Sequence, residues 1–81
     1  MIFSEEVEVP GWRPIHREVE PLAPAAQERC WERTCLAPAT WRVNTGGYVA
    51  CSCDDEAHMR ATQTALLVQY MTAHLEQRIQ S

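Results

Sequence analysis

The sequence predicts a small α+β domain: a cysteine knuckle and a β-hairpin, then one long C-terminal α-helix, preceded by an extended N-terminal arm. Three observations predict it. Four cysteines fall within residues 30–53, and a histidine follows at 58. The turn signal Asn44-Thr45-Gly46-Gly47 separates two short runs of strand-forming residues. No Pro or Gly interrupts residues 54–81.

The N-terminal region, residues 1–24, holds four of the five prolines and five glutamates. Glu5-Glu6-Val7-Glu8-Val9 alternates enough for a short edge strand, which Pro10-Gly11 ends. Beyond it, Trp12, Pro14, Ile15 and Val19 are expected to lie across the domain as an extended arm, with Trp12 as its anchor. The second region, residues 25–81, carries the rest of the fold. Residues 25–29 suit a helical turn with Pro24 near its first position. Cys30-Trp31-Glu32-Arg33-Thr34-Cys35 is then a tight loop.

Residues 39–43 read as a strand, with Trp41 and Val43 on one face and Thr40 and Arg42 on the other. Residues 48–51 return as the second strand of the hairpin. Residues 54–80 read as a helix capped by Asp54 or Asp55, with Glu56 at the positive end of its dipole. Ala57, Ala61, Ala65, Val68, Met71, Leu75 and Ile79 follow a three-to-four spacing and define its expected apolar face. Met59, Leu66 and Tyr70 widen the apolar surface on a second flank.

A chain of 81 residues buries only about 60–65% of its unfolded surface, so a staple is expected. Hydrophobic residues make up 46% of the chain, but alanine supplies many of them and Phe occurs once. The pattern Cys30-x4-Cys35, fifteen residues, Cys51-x-Cys53-x4-His58 supplies that staple. Zinc takes four thiolate or imidazole ligands in a tetrahedron. A short loop turns Cys30 and Cys35 to one point, and the hairpin brings the chain back there. The helix start then offers the remaining ligands. One Zn2+ per chain on Cys30, Cys35, Cys53 and His58 is the expected site. An all-cysteine site using Cys51 and Cys53 without His58 is the nearest competitor. Knuckle, hairpin and ligands at a helix start are the order of parts in a treble-clef zinc site.

The run Cys30-x4-Cys35-Leu36-Ala37-Pro38-Ala39-Thr40, followed by Tyr48-Val49-Ala50-Cys51-Ser52-Cys53 and His58, resembles small zinc-finger proteins of actinomycetes and their phages. Those typically read Cys-x2-Cys, a link to Pro-Ala-Thr, a hairpin, Tyr-x-Cys and a Cys-x-x-His-type close before a helix. The likeness covers about residues 30–60 and departs in both ligand gaps, four residues each here. It implies Cys30, Cys35, Cys53 and His58 as ligands and leaves Cys51 aside.

The net charge is −4 and the seven basic residues are scattered arginines, so nucleic acid is not an expected partner. Arg33, Arg42 and Arg60 near the site keep a nucleic-acid-binding regulator as an alternative. A thiol redox sensor using Cys51 and Cys53 is another. Residues 1–10 lack the features of a signal peptide and nothing is long and apolar enough to span a membrane, so a cytoplasmic protein is expected. In that reducing setting clustered cysteines mean metal more often than disulfides. Asp54, Asp55 and Glu56 read as capping residues and not as catalytic bases, and no enzyme is expected. His16 and His74 are expected to face solvent. A helix of this length outruns the knuckle and hairpin. Its apolar stripe is expected to meet a partner protein or a second copy through residues 57–79, in a small regulator or adaptor.

Overall fold

A computed structural model describes residues 2–23 and 26–80, the last five of them by backbone alone. The chain forms β1 (Phe3–Val7), β2 (Ile15–Pro21), β3 (Trp41–Thr45), β4 (Tyr48–Ser52) and α1 (Glu56–Gln80). The four strands make one antiparallel sheet in sequence order, and α1 packs across β3 and β4. No described helix is long and apolar enough to cross a membrane.

The hairpin is tighter than the turn signal suggested. Asn44 and Thr45 belong to β3, and Gly46-Gly47 alone make the turn, with φ of 58° and 98°. Two successive positive φ values suit a two-residue hairpin loop, whose twist matches that of the strands. Asn44 Oδ1 accepts the Gly47 N–H at 3.0 Å. Gly46 has a second reason to lack a side chain, because a Cβ there would run into the ring of Tyr70.

The segment expected as an arm is extended, but it adds two strands to the sheet. Val19 pairs with Val43 and Arg17 with Thr45 across β2 and β3. Alternation along β2 turns Ile15, Arg17 and Val19 toward the helix side and His16, Glu18 and Glu20 outward. Ile15 is 1% exposed and forms part of the core with Val43 and Leu66. β1 lies at the edge and pairs Glu5 with Arg17, whose guanidinium donates to the Glu5 carboxylate at 2.8 Å. Glu5 and Glu6 on this edge disfavour its pairing with another strand of like charge. Trp12 sits between β1 and β2 and reaches α1, its ring 6.4 Å from Tyr70 and 6.3 Å from His74. The expected helical turn at 25–29 begins at Pro24 and Ala25, outside the described residues. Within the described part, Ala26 N–H donates to Ala23 C=O and Gln27 has a φ of 54°.

The helix begins at its expected place and meets the sheet through the flank that carries Leu66 and Tyr70. Asp55 is the cap, accepting the N–H groups of Ala57 (2.8 Å) and His58 (3.4 Å). The buried line runs through Thr62 and Leu66, at 0% and 3% exposure. His58 and Tyr70 extend it at four-residue steps on the same side. The apolar stripe read from the sequence lies away from it, with Ala57, Val68 and Leu75 exposed. The alanines gave that stripe its apolar count without giving it bulk, and the sheet is filled by the larger flank of Met59, Leu66 and Tyr70. Buried Thr62 is satisfied within the helix, its hydroxyl donating to His58 C=O at 2.8 Å.

The two turn glycines are expected to differ on substitution. Gly47→Ala places a side chain in open space at positive φ and lowers stability by about 1 kcal/mol. Gly46→Ala adds the collision with Tyr70 and lowers it by about 3 kcal/mol. Urea unfolding midpoints of the two variants measure the difference.

Candidate metal centre

Three separate pieces of chain carry the cluster. Cys30 and Cys35 lie within the loop between β2 and β3, Cys53 follows β4 directly, and His58 lies in the first turn of α1. Backbone bonds hold the loop in place. Ala39 N–H donates to Glu28 C=O (2.9 Å) at its base, and Trp31 N–H donates to Cys51 C=O (2.8 Å), tying it to the edge of β4. Cys35 N–H donates to Glu32 C=O at 3.0 Å, which closes the turn between the two cysteines. The Glu32 carboxylate accepts the Thr34 N–H (3.3 Å) and hydroxyl (3.2 Å) within that turn.

The ligand atoms of Cys30, Cys35, Cys53 and His58 all lie within 4.8 Å of one another. Cys35 Sγ is 3.8 Å from Cys53 Sγ, and His58 Nδ1 is 3.3 Å from Cys53 Sγ and 3.8 Å from Cys30 Sγ. A tetrahedral ion with metal–sulfur bonds of about 2.3 Å and a metal–nitrogen bond of about 2.0 Å requires edges of about 3.8 Å (S···S) and about 3.5 Å (S···N). The three separations match those edges. None of the cysteines is in a disulfide, which requires sulfurs about 2.05 Å apart. The four residues therefore fit a single four-coordinate metal ion, with His58 offering Nδ1.

The electrostatics favour a cation. Burial alone pushes the Cys30 thiol up, but the backbone amides of Cys53 and Glu32, with the Cys53 and Cys35 thiols, hydrogen-bond its sulfur and hold it down at about 7. For Cys53 the amide of Asp55 pulls downward, but burial and the neighbouring Cys30 and Cys35 sulfurs outweigh it and leave the thiol raised. Several thiolates crowded together repel one another, and a divalent cation at their centre removes that repulsion.

Cys51 stands apart from the group. Along β4, Ala50 and Ser52 share the side of β3 residues Val43 and Trp41, whereas Cys51 pairs with exposed Arg42 on the other face. Its thiol is pushed up by burial and then by Glu28, with Arg42 pulling the other way. The neighbouring carboxylates have structural partners. Asp54 accepts from the Thr40 hydroxyl (2.8 Å) and the Trp41 indole N–H (2.9 Å), which binds the strand to the helix start. Asp55 caps the helix, and Glu56 pairs with Arg60 at 2.7 Å. The Asp54 clamp had no local signal in the sequence, because its partners lie thirteen and fourteen residues away.

The other two histidines divide. His16 is exposed between Glu18 and Glu6, whose hydrogen bonds raise its pKa above the usual 6.5. His74 is packed and not free in solvent: its ring lies 4.1 Å from that of Tyr70, and Nδ1 approaches Tyr70 C=O at 3.0 Å.

Compared with protein-family models, curated proteins and solved structures, the chain has no match.

Cys51→Ser is expected to retain one metal ion per chain, and Cys53→Ser to lose it. Native mass spectrometry of the two purified variants reports the difference directly.

Proposed function

We propose that this chain is a zinc-binding protein-interaction module, a small regulator or adaptor that uses the metal as a closed structural staple. The observation that carries the reading is the meeting of three sulfurs and one imidazole nitrogen within 4.8 Å of one another. Thiolates with imidazole select a borderline-soft ion such as Zn2+. Bound there, the ion supplies cross-linking and charge neutralisation. Cys30 and Cys35 hold the loop, Cys53 the end of β4, and His58 the start of α1. Four protein ligands complete the shell of such an ion, which supports a structural role over a catalytic one. The order of loop, hairpin and helix start supports the treble-clef likeness drawn from the sequence.

The interaction role rests on α1. Its 25 residues rise about 37 Å, whereas each strand beneath it, five residues long, spans only about 17 Å. The helix therefore continues past the strands that support it, with Val68 and Leu75 exposed on the way. The alternatives have less support. Of the three arginines suited to phosphate, Arg42 is paired with Glu20 (3.6 Å) and Arg60 with Glu56 (2.7 Å). Cys51, the sulfur suited to redox exchange, faces away from the cluster.

Removing the ion tests the staple. Structural zinc in small domains contributes on the order of 10 kcal/mol, comparable with the whole stability of a domain. A strong chelator is expected to abolish cooperative thermal unfolding, and added Zn2+ to restore it. An unchanged melting curve on complete metal removal contradicts the reading.

A further inference from the structure

The helix packs over β3 and β4 and not over β1 and β2. A cleft of about 410 Å³ remains between its side and the helix side of the first two strands. Its apolar walls are Phe3 of β1, Val19 of β2, Trp41 of β3 and Met59 of α1. Phe3 and Val19 are partners in the strand register, so their side chains stand next to each other and form the floor. Phe3 is 53% exposed there. The volume falls in the range of small-molecule sites.

One end of the cleft is polar. Glu5 and Gln63 line it, and the Arg17 guanidinium lies between them. Its Nη1 donates to Glu5 Oε1 at 2.8 Å and approaches Gln63 Oε1 at 3.5 Å. The Arg17 side chain is 13% exposed and that of Glu5 59%. The fold therefore holds the positive charge in place, and the carboxylate is the loose member of the pair. The guanidinium is also short of acceptors. Its buried Nε has no partner among the described residues, and neither has the hydroxyl of Thr45, fully buried directly across from Arg17 on β3. Glu5 stands opposite Arg17 on β1 and reaches it through Nη1 alone. Guanidinium groups are best met by a carboxylate on two N–H groups at once, and underpaired buried donors are costly. A carboxylate that enters through the cleft is not tied to β1 and can approach Arg17 end-on.

We infer that this cleft binds a small free carboxylic acid with an apolar ring or branched body, whose carboxylate takes the place of Glu5 on Arg17. The body lies against Phe3, Val19, Trp41 and Met59. The charges stay balanced, because one carboxylate leaves the guanidinium as another arrives and Glu5 turns to water. No ligand of the metal centre lines the cleft, so the inference goes beyond the staple and is tested separately from it.

Heteronuclear NMR titration of the purified chain tests it, with phenylacetate as the probe. Saturable shifts are expected at Phe3, Val19, the Trp41 indole and the Met59 methyl. Phenylacetamide, which lacks the charge, and acetate, which lacks the body, are each expected to bind about tenfold more weakly or worse. Arg17→Lys is expected to weaken phenylacetate about tenfold. Glu5→Gln removes the competing carboxylate and is expected to tighten phenylacetate several-fold, with helical circular dichroism unchanged. An ion pair with a purely structural role predicts no such gain. The absence of saturable shifts at millimolar phenylacetate, equal binding of phenylacetamide, or no gain in Glu5→Gln overturns the inference. A peptide with a C-terminal Phe that binds more tightly than phenylacetate overturns the free acid as occupant.

Discussion

The imidazole of His58 meets sulfur atoms that arrive from two other stretches of chain, and that meeting fixes the rotation of α1. A helix leaves only one angle free once its axis is placed. With His58 turned to the sulfurs, Thr62, Leu66 and Tyr70 follow at four-residue steps toward the sheet. Leu66 then completes a core of few large side chains, with Ile15 and Val43 beneath it. Tyr70 then covers Gly46 and takes the ring contact of Trp12, which ties the N-terminal hairpin to the helix. The alanine stripe is left outside by the same rotation. The site and the exposed surface are thus two results of one constraint.

That constraint is tolerable only because the surroundings of the sulfurs are polar in the right sense. Amides of Glu32 and Cys53 point at Cys30, and the amide of Asp55 at Cys53, so the buried sulfurs face donors. Asp55 serves twice, through its amide toward the sulfur and through its carboxylate as the helix cap. Asp54 joins the end of β4 to Thr40 and Trp41 at the start of β3. The junction of sheet and helix is therefore held by hydrogen bonds to the two residues that follow Cys53.

Much of this was legible where the signals are local. Asn44, Gly46 and Gly47 announced the hairpin because positive φ restricts residue choice, although Thr45 stayed in the strand. The cysteines announced a cluster because their loop is short. Cys51 was harder, since its exclusion depends on strand parity: only with the register of β3 and β4 known does it fall on the outer face. The pairing of β2 with β3 joins residues twenty or more positions apart, and the prolines around β2 concealed a short alternation. The alanines of the outer stripe score as apolar without supplying volume, so the pattern alone did not say which flank fills the space over the sheet. The phase follows from His58, which joins the sulfurs from the first turn of the helix.

The most direct measurement is zinc K-edge X-ray absorption on the metal-loaded chain, because it counts the atoms that set the phase of α1. The account predicts three sulfurs at about 2.3 Å and one nitrogen at about 2.0 Å. Four sulfurs, with Cys51 in the place of His58, would leave the helix without the contact that fixes its rotation and would contradict the account.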